Sequence, residues 1–266
     1  MVKAAKQGGN EALATQGFTP VVSDTGGGNL TTQQDHDSKA SIIKILEEKL
    51  PGINILAEEK AAKNVTGNDL IIDPIDGSVN FARGGRDWSS TIAYTENNKV
   101  VIGVIWQPRT RTLAVGIRHT LLNLYEGEQA IDIKKPTSPF QLSSSVIQFP
   151  VSGGDFSDEV FDQVITPLAK NVRFTRNIFC NTGSILELMM GLTDAFIGYG
   201  AIWDFAAGIL FTEMAGGVAC DFWGKPIDMT QIKPQRVILA RSQEILDALL
   251  PFTSKWPTAE ELRQNN

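Results

Sequence analysis

A strand that ends in a pair of aspartates constrains this chain more than any other feature. The apolar run Leu70-Ile71-Ile72 is typical of a buried strand, and it leads directly into Asp73-Pro74-Ile75-Asp76-Gly77-Ser78. The proline fixes the backbone and keeps the preceding aspartate extended, while the glycine permits a conformation that other residues rarely adopt. Since a helix can begin at Ser78 and run to Ala82, the sequence predicts a turn that places two carboxylates beside unpaired backbone N–H groups.

The chemistry of this turn depends on what two neighbouring carboxylates require. Carboxylates that converge inside a protein repel each other, and one is driven towards protonation unless a cation lies between them. Oxygen ligands suit a hard cation such as Mg²⁺, and unpaired N–H groups suit a phosphate oxygen. The alternative is that Asp73-Pro74 is an ordinary strand end and Asp76-Gly77 an ordinary tight turn.

Further acidic residues stand at the ends of predicted elements. Glu58-Glu59 follows the apolar run from Ile53 to Leu56. The segment Thr32-Gln33-Gln34-Asp35 resembles the start of a helix, and Trp203-Asp204 precedes a helical pattern. Asp204 could equally be an N-cap, a common role for aspartate. These acids can form one site only if the fold brings the ends of the elements together.

The rest of the chain mixes strand meanders with helices, which predicts a layered α+β fold rather than a regular βαβ series. The predicted strands are Ile53–Leu56, Asp69–Asp73, Ser89–Tyr94, Val100–Gln107, Leu113–Ile117, Ala195–Tyr199, Val218–Phe222 and Val237–Ala240. The predicted helices are Asp35–Leu50, Ser78–Ala82, Asp158–Lys170, Gly183–Leu192, Asp204–Ala215 and Ser242–Leu250. Residues 119–145 show no clear pattern.

Composition argues against several classes of function. The 266 residues carry a net charge of −6 and no basic stripe, which argues against nucleic-acid binding. The sequence has no apolar run of about 18 residues, so it predicts no membrane span. Met1 to Phe18 lacks the apolar core of a signal peptide. Cys180 and Cys220 fit no disulfide or zinc pattern and are expected to be buried, reduced thiols. We therefore expect a cytoplasmic protein with no membrane or nucleic-acid partner.

Four motifs of the chain resemble those of the inositol monophosphatase family. Asp73 to Phe81 resembles the signature DPIDGTxNF, and Trp203 to Gly208, followed by Glu213 to Gly217, resembles WDxAAG…EAGG. Leu56 to Glu59 resembles the GEE motif, and Leu30 to Asp35 resembles LVTxxD. The motifs occur in the family's order and extend over roughly residues 20 to 250.

The resemblance implies a fold, a reaction and a cofactor. The fold would be a layered α-β-α-β-α sandwich of the inositol monophosphatase and fructose-bisphosphatase type. It would form a single domain over residues 1–266, with approximate halves 1–145 and 146–266, and would usually be a homodimer. The reaction would be hydrolysis of a small phosphomonoester, such as an inositol or sugar phosphate, by metal-activated water. The cofactor would be Mg²⁺, as two or three ions.

The resemblance also assigns roles to individual residues. The first Mg²⁺ would be held by Glu58, Asp73 and the carbonyl of Ile75, and the second by Asp73, Asp76 and Asp204. Catalytic roles around the attacking water fall to Asp35, Glu58 and Ser78. The N–H groups of Gly77 and Ser78 would hold the phosphate, so the substrate-binding set is Asp76, Gly77, Ser78 and Asp204.

The sequence departs from the family in the part that should recognise inositol. Inositol monophosphatases place a glutamate between Asp194 and Trp203 to bind ring hydroxyls, and Ala195 to Ile202 contains no acid. This departure argues against myo-inositol phosphate as the substrate and leaves open whether Tyr199 lines the pocket. Two alternatives follow: a fructose-1,6-bisphosphatase or other phosphatase on the same scaffold, and a catalytically silent phosphate-binding protein.

Overall fold

The structure is a computed structural model that describes residues 1–17, 21–24, 30–58, 64–136, 139–149 and 158–257. Its helices are α1 (Val2–Thr15), α2 (Gln33–Lys49), α3 (Ser78–Ala82), α4 (Asp158–Val160), a π-helical turn (Phe161–Ile165), α5 (Thr166–Asn171), α6 (Asn181–Met190), α7 (Ile202–Met214) and α8 (Gln243–Thr253). Within the described ranges, no helix combines the length and apolar character that crossing a membrane requires.

A seven-stranded sheet forms the first half of the fold. Its strands, in spatial order, are β3 (Asn54–Ala57), β4 (Asp69–Asp76), β5 (Ser89–Glu96), β6 (Lys99–Gln107), β7 (Thr112–Ile117), β8 (Leu121–Glu126) and β9 (Gln129–Ile131). The pair β3–β4 is parallel and every later pair is antiparallel. A separate two-stranded ribbon joins β1 (Val21–Asp24) to β2 (Leu30–Thr32).

A five-stranded sheet forms the second half. Its spatial order is β11 (Phe174–Arg176), β10 (Val146–Gln148), β12 (Ala195–Gly200), β14 (Gln235–Ala240) and β13 (Val218–Asp221). β10 pairs in parallel with both neighbours, and the β12–β14 and β13–β14 pairs are antiparallel.

Successive side chains of each strand point to opposite faces of the sheet, so each sheet packs against helices on both faces and the fold has five layers. On β4, Leu70 and Ile72 face α1 and α2, whereas Ile71 faces α6 and α7. On β12, Phe196 faces the same two helices, and Ile197 faces α8 on the far side. The order is therefore helices, first sheet, α6 with α7, second sheet, helices, which confirms the predicted layered α-β-α-β-α sandwich.

Most predicted elements lie where expected, and the structure adds elements that the sequence did not predict: α1, β1, β2 and β8 to β11. Residues 119–145, which showed no pattern, contain β8 and β9, which extend the first sheet as a hairpin. Helix α7 is buried along nearly all of its length, because it lies between two sheets.

The strands of the first sheet end at Ile131, and those of the second begin at Val146. This boundary lies close to the proposed division into halves 1–145 and 146–266. The assignment of the whole chain to a single domain stays a prediction.

Candidate active site

The end of β4 has the shape that the sequence predicts. The pairing with β5 is irregular between Asp73 and Asp76, because Pro74 has no N–H for the ladder. The carboxylate of Asp73 instead accepts a hydrogen bond from the Ile75 N–H at 3.0 Å. Gly77 then adopts φ 90°, and a Cβ there would lie 2.8 Å from the Asp87 carbonyl oxygen. Glycine is therefore required at the turn.

Two further aspartates lie at the starts of helices. In α2, the Oδ2 atom of Asp35 accepts hydrogen bonds from the Thr32 N–H at 2.7 Å and the Thr32 hydroxyl at 2.5 Å. In α7, the Oδ2 atom of Asp204 accepts one from the Ala201 N–H at 2.6 Å. Asp204 is therefore not the N-cap that the sequence suggested: Ala201 is the N-cap, and Asp204 is the third helical residue.

Helix α6 supplies a group of donors that the sequence analysis missed. The Oδ2 atom of Asp76 accepts hydrogen bonds from the N–H and the hydroxyl of Thr182, each at 2.5 Å. The thiol of Cys180 lies 3.2 Å from the same oxygen, and the Asn181 N–H lies 3.3 Å from Oδ1. The signal in the sequence was a polar Asn-Thr pair directly before a helical pattern, but nothing in it pointed to Asp76.

These contacts bring three of the predicted carboxylates into one cluster. Asp73, Asp76 and Asp204 each offer an oxygen, and these oxygens lie within 4.8 Å of one another. Asp73 is 1% exposed and Asp76 is 6% exposed. Three oxygen donors at this spacing can hold a hard cation such as Mg²⁺.

Glu58 and Asp35 lie at the edge of this cluster. Glu58 follows β3 directly, and its backbone carbonyl accepts a hydrogen bond from Lys39 Nζ at 3.2 Å. The charges of both acids act on Asp73, which places them near the three aspartates. Glu59 lies outside the described residues.

The electrostatics of the cluster match a site built for a cation. Burial raises the pKa of Asp73 well above its usual range, and the negative charges of Glu58, Asp76, Asp204 and Asp35 raise it further. Burial and the charges of Asp76 and Glu58 likewise raise the pKa of Asp204. Burial also raises the pKa of Asp76, but the hydrogen bonds from Thr182, Cys180 and Asn181 oppose that shift. A bound cation would relieve this repulsion.

Gly77 and Ser78, the residues predicted to hold phosphate, follow Asp76 directly in the chain. The Ser78 hydroxyl donates a hydrogen bond to the Ile75 carbonyl oxygen at 3.0 Å. A carbonyl oxygen has two lone pairs, so this hydrogen bond leaves one for a cation. Helix α3, which begins at Ser78 after the turn at Gly77, packs against β2, the strand that leads to Asp35.

The segment from Ala195 to Gly200, where the family places a residue that recognises inositol, forms β12, and its last two residues face opposite sides of the sheet. A Cβ on Gly200 would lie 2.2 Å from Asp204 Oδ2, so this residue faces the acidic cluster. Tyr199 points to the opposite face of β12, where its ring lies 5.3 Å from the guanidinium carbon of Arg236. Tyr199 therefore does not line the cluster.

The comparison with protein families decides the identity. A model described as the inositol monophosphatase family matches residues 1–255. The chain belongs to the inositol monophosphatase family. This membership confirms the predicted family and the predicted class of enzyme, a phosphoric monoester hydrolase of the inositol-phosphatase type.

Two relatives are similar to this chain over most of their length. The Nus factor SuhB of Haemophilus influenzae is 28% identical over 230 residues, which cover 83% of this chain and 83% of that protein. The fructose-1,6-bisphosphatase/inositol-1-monophosphatase of Thermotoga maritima is 30% identical over 203 residues, or 76% of this chain and 75% of that protein. These two relatives carry different functional names.

A solved structure shows the same fold. The structure, described as an IMPase/NADP phosphatase complexed with Mg²⁺ and phosphate, matches with a TM-score of 0.78 and 21% identity. The match covers 93% of this chain and 90% of that one. At this identity the likeness establishes the family's fold.

Proposed function

We propose that this chain is a Mg²⁺-dependent phosphatase that hydrolyses a small phosphomonoester by direct attack of water. The observation that carries the proposal is the cluster of Asp73, Asp76 and Asp204, whose oxygens lie within 4.8 Å of one another. Oxygen-only donors with raised pKa values suit Mg²⁺. A related fold has been solved with Mg²⁺ and phosphate, which supports the same pair of ligands here.

The donor set divides into two groups. Glu58, Asp73 and the Ile75 carbonyl would hold a first Mg²⁺, and Asp73, Asp76 and Asp204 would hold a second. Asp73 belongs to both groups, which agrees with the raising of its pKa by each of the other acids. When bound, such ions lower the pKa of water and neutralise the charge that develops on the leaving oxygen. A third, weaker ion near Glu58 belongs to the same proposal.

The remaining residues would position the reactants. Asp35 and Ser78, together with Glu58, would orient the attacking water and take its proton. The N–H groups of Gly77 and Ser78 would hold phosphate oxygens at the start of α3. Because phosphoryl transfer depends mainly on positioning and charge neutralisation, no covalent intermediate is required.

The substrate class is a polyol or sugar phosphate. The described segment from Ala195 to Gly200 contains no acidic residue for ring hydroxyls, which disfavours myo-inositol phosphate itself. A fructose-1,6-bisphosphatase activity is the second candidate, and the Thermotoga maritima relative that carries that name supports it. The name Nus factor SuhB on another relative keeps a catalytically silent role as an outcome of the test.

A homodimer, which the resemblance implies, and a cytoplasmic location, which the composition indicates, belong to this proposal as well. Light scattering on the purified chain measures the first: a mass of twice 29.0 kDa supports the dimer. A mass of a single chain at micromolar concentration contradicts it.

The direct test is release of phosphate from a panel of phosphomonoesters with and without Mg²⁺. The panel contains a generic aryl phosphate, inositol monophosphate, fructose bisphosphate, histidinol phosphate, glycerol phosphate and adenosine bisphosphate. We expect turnover that requires Mg²⁺ and differs among these esters. If the folded protein releases no phosphate from any ester at any Mg²⁺ concentration, the chain is a silent member of the family.

A further inference from the structure

We propose that the hydroxyl of Thr182, which is hydrogen-bonded to Ser89, is a positioning group. It fixes the carboxylate of Asp76 so that the Oδ1 atom of Asp76 faces the cation. The proposal rests on the proposed function, since it concerns how the chain prepares one of the Mg²⁺ ligands. Neither Thr182 nor Ser89 belongs to the four motifs that carry the family resemblance.

The geometry around Asp76 separates its two oxygens. Oδ2 accepts hydrogen bonds from the N–H and the hydroxyl of Thr182 at 2.5 Å each, and the Cys180 thiol approaches it at 3.2 Å. Among the residues that the structure describes, Oδ1 has one donor, the Asn181 N–H at 3.3 Å. The lone pairs of Oδ2 are therefore occupied by donors at the start of α6. Oδ1 is the oxygen with lone pairs for a cation.

A second hydroxyl lies behind Thr182. Thr182 Oγ1 and Ser89 Oγ form a short hydrogen bond, and both residues are buried. If the Thr182 proton is donated to Asp76, Ser89 must donate to Thr182. Ser89 is also the partner of Asp76 in the pairing of β5 with β4, so the chain of hydroxyls ends on the strand that pairs with the one carrying the carboxylate. A carboxylate held in this way cannot rotate when a cation binds or leaves.

Capping of α6 does not require the Thr182 hydroxyl. The N-cap is Cys180, whose sulfur accepts the Gly183 N–H at 3.2 Å. In the described part of the chain, the buried hydroxyl of Thr212 has no hydrogen-bond partner, so a threonine in this fold can be buried without such a role. The Thr182 hydroxyl differs because it touches the acidic cluster.

The experiment compares Thr182→Val, Thr182→Ser and Thr212→Val with the wild type. Thr182→Val removes one donor and keeps the size of the side chain and the backbone N–H. Thr182→Ser keeps the hydroxyl, and Thr212→Val is the control at a buried threonine outside the site. Mg²⁺ affinity is measured by calorimetric titration of the metal-free protein, and Tm is measured in EDTA.

We expect Mg²⁺ to bind Thr182→Val about 10- to 100-fold more weakly, the range typical of groups that orient a metal ligand. Thr182→Ser should restore most of the affinity, and Thr212→Val should match the wild type. Equal Mg²⁺ affinity of Thr182→Val and the wild type would overturn the inference. A wild type that binds no Mg²⁺ would instead contradict the proposed function, so the two failures are distinguishable.

A loss of folding is separated from a loss of positioning by the Tm in EDTA. If Thr182→Val is also too unstable to titrate, Ser89→Ala removes the hydroxyl that donates to Thr182 and keeps every hydrogen bond to the Asp76 carboxylate. We expect Ser89→Ala to weaken Mg²⁺ binding less than Thr182→Val does. Unchanged affinity in Ser89→Ala, with Thr182→Val unfolded, would count against the hydroxyl chain.

Discussion

Two strands, β4 and β12, are each followed by a helix that begins at the acidic cluster. They differ in the number of acidic residues that they contribute to it. β4 is buried over all eight residues and ends in two of the clustered acids. β12 becomes exposed towards its end, contains no acid, and reaches the cluster through Gly200. Its acid, Asp204, comes only in the helix that follows. On the proposed function, the β4 side would carry the chemistry and the β12 side would help to select the substrate.

The largest effect should follow from Asp73→Asn on the β4 side. Asparagine keeps an oxygen for the Ile75 N–H but weakens a ligand shared by both proposed ions. We expect kcat/KM to fall by about 10³-fold or more, since several kcal/mol of metal stabilisation are at stake. In EDTA the same variant should be more stable by about 2–4 °C in Tm, because one of the repelling charges is gone.

The control for this variant is Asp69→Asn on the same strand. Asp69 is equally buried, but its carboxylate accepts hydrogen bonds from the N–H groups of Thr66 and Gly67. We expect this variant to lose stability and to keep the Mg²⁺ dependence of turnover. If Asp73→Asn retains full turnover, the assignment of metal ligands is wrong.

A smaller effect should follow from Gly200→Ala on the β12 side. The new Cβ would lie 2.2 Å from Asp204 Oδ2, so Asp204 must shift from its bond to the Ala201 N–H. We expect the Mg²⁺ concentration for half-maximal activity to rise about 10- to 100-fold. The matched control is Gly198→Ala, where the Cβ would instead meet the Phe196 ring at 2.2 Å. It should reduce Tm and leave the Mg²⁺ dependence unchanged, and equal Mg²⁺ dependence in both variants would contradict the special role of Gly200.

The pH dependence of stability should report the raised pKa values of the acids that the two sides share in one cluster. Folding raises the pKa of Asp73 and Asp204, so the folded state binds protons more tightly than the unfolded chain. Their contribution to stability is therefore lost as pH rises from the ordinary aspartate pKa of about 3.9 through the raised values. In EDTA we expect a higher Tm at about pH 5.5 than at about pH 7.5, measured by calorimetry. Saturating Mg²⁺ should reduce or reverse the difference, and Asp73→Asn should flatten it.

The β4 side was predictable because its determinants are local. A strand, a proline and a glycine within one short segment place Asp73 and Asp76, and the structure agrees. The donors on Asp76 were not predictable, because Thr182 is 106 residues away in sequence and only packing of α6 brings it close. For Asp204 the sequence left an N-cap role open as the alternative to a metal ligand, because aspartate is common both at the N-cap and in the first turn.

The far end of the first sheet was missed for a different reason. Strand β8 has a single buried residue, Leu124, with the rest of the strand partly or fully exposed. Strand β9 has none. Without a buried face, the alternation of polar and apolar residues that marks a strand is weak. The hairpin forms because β7 offers an edge for pairing, which is a property of the sheet rather than of residues 121–131.

The smallest expected effect belongs to Tyr199→Ala, and it tests the boundary between the two regions most sharply. Tyr199 is 55% exposed and contacts Arg236 on the face of β12 away from the cluster. Loss of this contact should reduce stability by roughly 0.5–1 kcal/mol, and kcat/KM for the best ester should stay within about twofold of the wild type. A tenfold rise in KM with unchanged kcat would show that the substrate extends around the edge of β12 to this ring. Substrate selection would then be built on both faces of β12, and the absence of an acid before Gly200 would have an aromatic group as its replacement.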